Sequence, residues 1–182
     1  MLEVRPTSLP EILILATRWH EDERGSFSEV YQQPRFNEAG IRVAFMQDNH
    51  AVSKKRGTVR GLHFQRAPAA QSKLVRVVRG AVFDVAVDIR PDSPHFGRWA
   101  GLELSAENRL QLFVPAGFAH GYLTLTDDSE VLYKVDEPYA PQHEGGILWN
   151  DPALGIAWPD LQGDPLIAPR DAALPKLAEL AP

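Results

Sequence analysis

Cysteine is absent from the 182 residues of this chain. Its absence excludes disulfide bonds, thiolate metal sites and a cysteine nucleophile, and is compatible with the reducing cytoplasm, which we predict as the location. Positive charge is also scarce, because 19 lysines and arginines stand against 24 aspartates and glutamates, for a net charge of -5. Such a chain lacks the basic surface that nucleic acids require, so we expect no nucleic-acid partner.

Long apolar segments are missing as well. No run of about 18 apolar residues occurs, so the sequence predicts no transmembrane helix. The opening residues MLEVRPTSLPEILIL lack a basic segment followed by an uninterrupted apolar one, so no signal peptide is predicted. We therefore expect a soluble protein without a membrane partner, and its length fits a single domain over residues 1–182.

What the sequence does contain is many short strands separated by turns. The 13 glycines and 15 prolines are spread between short apolar runs. The clearest strand covers 82–89, where apolar residues alternate with Asp84, Ala86 and Asp88, giving one apolar and one more polar face. Further strands are predicted at 12–17, 42–49, 58–64, 74–79, 101–104, 111–114, 121–126 and 130–135. Helical signals are few, at 34–39 before Gly40, at 105–108 and at 174–180. This pattern predicts an all-β sandwich or barrel with a few short helices.

Two motifs refine the fold and bear on metal binding. Residues 115–121 read PAGFAHG, a pattern found in cupin jelly rolls, and residues 60–65 read RGLHFQ. Cupins that bind metal carry His-x-His followed by a glutamate, whereas here the stretch is His63-Phe-Gln65 without that glutamate. A divalent metal needs about three protein ligands or more. The sequence therefore predicts a cupin-type jelly roll without a metal.

The polar residues around His63 suggest proton chemistry. Lys73 begins the next predicted strand, and Tyr133 lies on a later one. If they line one cavity, the site contains a base, a cation and a phenol, which suits proton abstraction next to a carbonyl. The alternatives are a structural core histidine, a solvent-facing lysine at a strand end and a barrel tyrosine with a hydrated hydroxyl group. Spacing alone leaves both interpretations open.

Ten segments of the chain, taken together and in order, resemble the dTDP-4-dehydrorhamnose 3,5-epimerase family. They run from Arg24 across nearly the whole chain: RGSFSE at 24–29, QDN at 47–49, RGLHFQ at 60–65, KLV at 73–75, GAVFDVAVD at 80–88, SPHFG at 93–97, PAGFAHG at 115–121, YK at 133–134, YAP at 139–141 and WNDP at 149–152.

The resemblance implies a homodimeric jelly roll that uses neither metal nor cofactor. Its implied substrate is dTDP-4-dehydro-6-deoxyglucose, bound inside the barrel and epimerised at C3 and C5. His63 is then the base, and Asp171 the carboxylate that orients its imidazole. Lys73 stabilises the enolate oxygen, and Tyr133 donates a proton on the opposite face.

The resemblance also implies a set of substrate contacts. Arginines among them suit a pyrophosphate, which accepts bidentate guanidinium contacts, and Phe27 matches a contact with the thymine. The other matching positions are Arg24, Glu29, Gln47, Asn49, Arg60, His120, Glu144 and Arg170.

One departure keeps other functions open. The family commonly reads Leu-Ser-x-Lys-Asp near the C-terminus, whereas this chain reads Ile-Ala-Pro-Arg-Asp at 167–171. An epimerase acting at one centre only is therefore an alternative. A non-catalytic sugar-nucleotide-binding cupin and a metal-dependent cupin enzyme are the rivals from other classes.

Overall fold

The computed structural model describes residues 2–161 and 163–180 of the chain. Within these ranges the secondary structure is mostly strand, with two short α-helices and two 3-10 turns at Pro141–His143 and Leu177–Glu179. None of these helices is long and apolar enough to cross a bilayer. The elements are β1 (Leu2–Pro6), β2 (Leu13–Thr17), β3 (His20–Asp22), β4 (Gly25–Phe27), α1 (Gln33–Glu38), β5 (Gln47–Ser53), β6 (Thr58–Gln65), β7 (Lys73–Arg79), β8 (Ala81–Asp88), β9 (Trp99–Ser105), β10 (Gln111–Val114), β11 (Phe118–Thr124), β12 (Ser129–Val135), β13 (Glu144–Gly146), β14 (Leu166–Ile167) and α2 (Pro169–Ala172).

Two sheets face each other. The first has the strand order β1-β2-β10-β7-β12-β5, and the second has the order β13-β6-β11-β8-β9 with β14 beside β6. All pairings are antiparallel except that of β14 with β6. The hairpin of β3 and β4 forms a separate two-stranded ribbon. The predicted all-β jelly roll with a few short helices is confirmed.

The core consists of three apolar clusters, one between the sheets and one on each outer face. The cluster between the sheets includes Val75 and Val77 of β7 and Val82 of β8. The outer face of the first sheet is covered by α1 and the segment that follows it, through Phe36 and Ile41. The outer face of the second sheet is covered by the C-terminal part of the chain. Both faces of the central strands are therefore buried.

Strand β8 shows what this burial does to the sequence pattern. The apolar face predicted for it, with Val85 and Val87, packs under the C-terminal part of the chain. The more polar face is not solvated, because Asp84 and Asp88 are both fully buried. The alternation was therefore predicted correctly, but the polar face points into the protein, where it can carry function.

Several boundaries differ from the sequence prediction. The strand predicted at 42–49 runs instead from Gln47 to Ser53, since Val43 and Phe45 pack as irregular chain against the cluster under α1. The C-terminal helix predicted at 174–180 is only the 3-10 turn Leu177–Glu179, and α2 was not predicted. Strands β1, β3, β4, β13 and β14 were not predicted either, because most are very short and lack a clear period of two.

Two motif glycines allow β6 and β11 to cross closely. A Cβ atom on Gly121 would lie 2.5 Å from the carbonyl oxygen of Arg60 and 3.0 Å from the Cα atom of Gly61. Gly61 itself has φ +124°, a conformation that side chains disfavour. The glycines of RGLHFQ and PAGFAHG thus pack backbone against backbone, and His63 and His120 become register partners.

This close approach makes Gly121 a sensitive position. We expect Gly121→Ala to lower the free energy of unfolding by about 1–3 kcal/mol, because the added methyl group meets backbone atoms that cannot rotate away. Denaturant unfolding of the two proteins measures the difference. The control is Gly155→Asn, at φ +58° with no atom near an added Cβ, where we expect a loss below about 1 kcal/mol. Equal losses would contradict the packing argument.

Candidate active site

A cleft of about 430 Å³ opens between the two sheets. The first sheet supplies residues from β5, β7 and β12, and the second supplies residues from β6 and β13. Six of the residues predicted from the sequence line it, namely Gln47, Asn49, His63, Lys73, Tyr133 and Glu144. The remaining lining residues are Phe64, Gln65, Gln71 and Tyr139. The fold therefore brings the predicted base, cation and phenol to one cavity.

His63 is held by Asp171, which lies 108 positions later in the chain. The Nε2 atom of His63 and the Oδ1 atom of Asp171 are 2.8 Å apart. The other carboxylate oxygen accepts a hydrogen bond from the backbone N–H of Gly61 at 3.2 Å. Asp171 is buried on α2, and the hydrogen bonds on both of its carboxylate oxygens fix its position relative to β6. Since an ionised carboxylate only accepts hydrogen bonds, Nε2 carries the proton and Nδ1 carries the lone pair.

Burial lowers the pKa of His63 below its usual 6.5, and the nearby Lys73 and Arg170 charges act in the same direction. The hydrogen bond and negative charge of Asp171 oppose this shift without cancelling it. The imidazole is therefore neutral at pH 7. A neutral ring with its lone pair on Nδ1 is competent to accept a proton.

Lys73 is an interior residue, not the solvent-facing strand end that the simplest reading of the sequence suggested. It precedes Val75 and Val77 at a spacing of two, so it shares their inward-facing side of β7. Its side chain is buried, and burial lowers its pKa from 10.5 to about 8, against the opposing charges of Asp84 and Glu144. At pH 7 the amine is still mostly protonated, so it brings a positive charge to the cleft.

Tyr133 approaches the cleft from β12, where it pairs in register with Asn49 of β5. Burial raises the pKa of its hydroxyl group above the usual 10, although the charge of Arg60 partly offsets the effect. The phenol is therefore protonated at neutral pH and available as a proton donor. Its partner Asn49 accepts a hydrogen bond from the side chain of Gln47 at 2.8 Å, which links two predicted substrate contacts.

Glu144 and Arg170, both predicted substrate contacts, form an ion pair at the side of the cleft. Arg170 Nη2 lies 2.6 Å from Glu144 Oε1, and the hydroxyl group of Tyr139 donates to Glu144 Oε2 at 3.0 Å. The arginine that replaces the lysine common in the family therefore has a carboxylate partner here. Tyr139, which was not among the predicted site residues, is 55% exposed at the cleft edge and presents an aromatic surface there.

His120 and Arg60 lie near the cleft without lining it. His120 is buried on β11 and donates from Nε2 to Oδ1 of Asp84 at 2.8 Å. Arg60 donates to the hydroxyl oxygen of Ser53 at 3.1 Å and to the carbonyl oxygen of Val52 at 3.0 Å. Asp84 was not predicted as a site residue, although an aspartate among the apolar residues of β8 was the available signal.

The predicted contacts Arg24, Phe27 and Glu29 lie elsewhere in the chain. Arg24 and Phe27 belong to the β3–β4 hairpin, where Arg24 pairs with Asp22 and Phe27 is 71% exposed. Glu29 follows the hairpin and pairs with Arg35 of α1 at 2.9 Å. A single chain therefore does not bring these three residues to the cleft that holds His63.

Gln65, which stands where metal-binding cupins have a second histidine, is committed to hydrogen bonds. Its Nε2 atom donates to the carbonyl oxygens of Ala69 and Pro138, and its Oε1 atom accepts from the N–H of Ala140. Among residues 2–161 and 163–180, no group of three or more metal-binding side chains could hold an ion. The absence of a metal stays a prediction. The three backbone hydrogen bonds give Gln65 a structural role at this position.

Comparison with known proteins identifies the family of this chain. A model of the dTDP-4-dehydrorhamnose 3,5-epimerase family matches residues 6–179. The chain belongs to this family. A dTDP-4-dehydrorhamnose 3,5-epimerase of Salmonella typhimurium is 54% identical over 97% of this chain and 96% of its own. The Escherichia coli K12 enzyme of the same name is 48% identical, covering 98% and 96%.

Solved structures of the family share the fold closely. A 3,5-epimerase from Legionella pneumophila in complex with dTDP-4-keto-L-rhamnose superposes with a TM-score of 0.95 at 42% identity, over 100% of this chain and 95% of that one. A 3'-monoepimerase from Streptomyces bikiniensis in complex with dTDP-quinovose has a TM-score of 0.89 at 39% identity, over 96% and 87%. Both kinds of epimerase thus use this fold.

The candidate base, His63, offers a test that needs no substrate. We expect an NMR titration to give a His63 pKa below 6.5, since burial outweighs the carboxylate. We expect Asp171→Asn to lower that pKa further, because it removes the charge that favours the imidazolium. Asp151→Asn is the matched control, since Asp151 is a buried carboxylate that accepts from the backbone of Ala153 and Leu177. A wild-type value above 6.5 would contradict this account.

Proposed function

We propose that this protein epimerises dTDP-4-dehydro-6-deoxy-D-glucose at C3 and C5 to dTDP-4-dehydro-L-rhamnose, in the synthesis of dTDP-rhamnose. The observation that carries the proposal is the cleft in which His63, backed by Asp171, faces the same space as Lys73 and Tyr133. The close relatives that bear the name of this activity support the same substrate. We also propose that residues 1–182 act as one domain, because both sheets contribute to one cleft.

The reaction needs a base, an acid and a stabiliser for negative charge. The C4 ketone of the substrate acidifies the protons on C3 and C5, so no Lewis acid is needed to activate them. The Nδ1 atom of His63 removes one of these protons, and the electron pair of the C–H bond forms an enolate with its charge on the C4 oxygen. The ammonium of Lys73 stabilises that oxygen through a charged hydrogen bond.

The return of the proton on the other face sets the new configuration. Tyr133 donates its hydroxyl proton to the carbon opposite His63, and the carbonyl group reforms. The imidazolium then gives its proton to solvent and the phenolate takes one back, which restores the starting state. One ketone activates both neighbouring carbons, so the same groups act twice if the sugar presents each carbon in turn.

Proton exchange with solvent tests this function directly. We expect incubation with the substrate in deuterated water to place deuterium at both C3 and C5, as read by NMR. His63→Ala should lower exchange by about 10²–10⁴-fold while substrate binding survives, because only the base is lost. Tyr133→Phe is the complementary variant, in which His63 can still exchange the proton on its own face, so label appears with little inversion. Absence of exchange in the wild-type protein would refute the proposal.

The same measurement separates the alternatives. Deuterium at one carbon only would support a mono-epimerase, the activity named for the Streptomyces bikiniensis neighbour. Substrate binding without exchange would support a non-catalytic sugar-nucleotide-binding protein. Near-stoichiometric iron, manganese or zinc in the purified protein would instead favour a metal-dependent enzyme. Gln65 and the Nε2 atom of His63 are already engaged in hydrogen bonds, which favours an enzyme that works without a metal.

We also propose that the protein works as a homodimer in the cytoplasm. The chain has no cysteine, so it needs no oxidising compartment to form disulfides. A two-fold dimer in which each β3–β4 hairpin reaches the partner's cleft would bring Arg24, Phe27 and Glu29 to the substrate. The exposed ring of Phe27 would gain a cover in that arrangement.

Mixing two inactive variants tests the dimer. Arg24→Ala and His63→Ala damage different chains of one shared site, so a mixed dimer contains one intact site. We expect a mixture unfolded and refolded together to recover roughly a quarter of the wild-type activity, as measured by deuterium exchange. Mixtures prepared without subunit exchange provide the control. Recovery no greater than the sum of the two variants would show that each site is built from one chain.

A further inference from the structure

Asp84 is a buried charge for which the reaction as proposed gives no role. It lies on the inward-facing side of β8 and is fully buried. One oxygen accepts the hydrogen bond from His120 at 2.8 Å. The other, Oδ2, is also buried and has no hydrogen-bond partner among the described residues. A buried carboxylate oxygen without a partner is costly in free energy, so its presence calls for an explanation.

In the part of the chain that the structure describes, Lys73 is short of hydrogen-bond acceptors, just as Oδ2 of Asp84 lacks a donor. An ammonium has three hydrogen atoms to donate, yet the one hydrogen bond of Lys73 within the described residues goes to the backbone oxygen of His63 at a long 3.4 Å. Both groups are buried in the space between the sheets, and each lacks partners of the kind the other supplies.

The other charged and titratable groups around Lys73 are already engaged or neutral. Glu144 of β13 is bound by Arg170 and by Tyr139. His63 of β6 is neutral at pH 7, and its Nε2 atom is bonded to Asp171. The hydroxyl group of Tyr133 on β12 is protonated. Asp84 therefore remains as the carboxylate with an oxygen free to compensate the ammonium.

We propose that Asp84 is a positioning residue of this site, a buried counter-charge that keeps Lys73 cationic and fixes the orientation of His120. The inference rests on the proposed function, since it explains how the cation that stabilises the enolate stays charged in an interior position. Because an ionised carboxylate only accepts hydrogen bonds, His120 donates from Nε2 to Asp84, and this bond fixes the orientation of its imidazole. Asp84 thus acts on the charge of Lys73 and on the orientation of His120 without contacting the substrate.

The electrostatics of Lys73 agree with this geometry. Burial lowers its pKa to about 8, and Asp84 is the stronger of the two charges that oppose the fall. Removal of the Asp84 charge should therefore lower the pKa further. The ammonium would then lose its proton at a lower pH, so activity should fall earlier on the alkaline side.

The test is the pH profile of kcat/KM for the wild-type protein and Asp84→Asn. We expect the wild-type alkaline limb near pH 8, and a shift of about one unit to lower pH in the variant. That shift corresponds to an additional loss of about fivefold at pH 8 but less than about 1.5-fold at pH 6.5, beyond any uniform loss through His120. A titration of Lys73 by NMR of ¹³Cε-labelled lysine should show the same shift without any substrate.

Matched variants separate positioning from simple structural damage. Asp88→Asn removes another fully buried carboxylate of β8, one that binds Arg90 and Ser93. It should lower the melting temperature but leave the alkaline limb in place. In a Lys73→Met background, Asp84→Asn should no longer shift either limb of the pH profile. Asp84→Ser replaces the asparagine variant if the latter does not fold.

The possible results distinguish this inference from the proposed function. A uniform loss of activity with an unmoved alkaline limb and an unmoved Lys73 titration would overturn the role of Asp84. An equal shift in Asp88→Asn would also overturn it, because the effect would then be one of overall charge. If the wild-type protein shows no proton exchange, the proposed function fails, while the NMR titration still decides whether Asp84 controls Lys73.

Discussion

The hydrogen bond between His63 and Asp171 is the contact on which the rest of the site depends. It joins the middle of β6 to α2 across 108 positions, so the C-terminal part of the chain must be folded before the histidine has its orientation. The same carboxylate also accepts the N–H of Gly61, which ties the imidazole to the backbone of its own strand. The orientation of the imidazole therefore depends on the folded C-terminal part of the chain.

The site places charged groups in the space that a β-sandwich ordinarily fills with apolar side chains. Lys73 shares a strand face with Val75 and Val77, and Asp84 lies between inward-facing apolar residues of β8. Burial of these charges is costly in free energy, and it shifts pKa values toward the neutral forms. The pKa of His63 is lowered and that of Tyr133 is raised, which favours at pH 7 the neutral imidazole and the protonated phenol that a base and an acid need. A core less favourable for stability is therefore better suited to proton transfer.

Much of the fold and part of the site were predictable because they depend on local patterns. Alternation along 82–89 and turn residues between short apolar runs predicted the strands. The motifs RGLHFQ and PAGFAHG indicated His63 and His120 as site residues. The strands β13 and β14 were not predictable, because two or three residues carry no period and form strands only where β6 offers an open edge. Arg24 and Phe27 were predicted as substrate contacts, yet in one chain the β3–β4 hairpin that carries them lies away from the cleft.

The sequence by itself determined the class of fold, the family and the identity of the chemical groups, since these depend on residue type and order. It could not determine that the polar face of β8 points inward, because a period of two distinguishes the faces without saying which one meets solvent. Nor could it show that Glu144 is paired with Arg170, or that Gln65 is committed to three backbone groups. Tertiary structure decided these points, because burial and pairing between distant strands set the charge and orientation of each group.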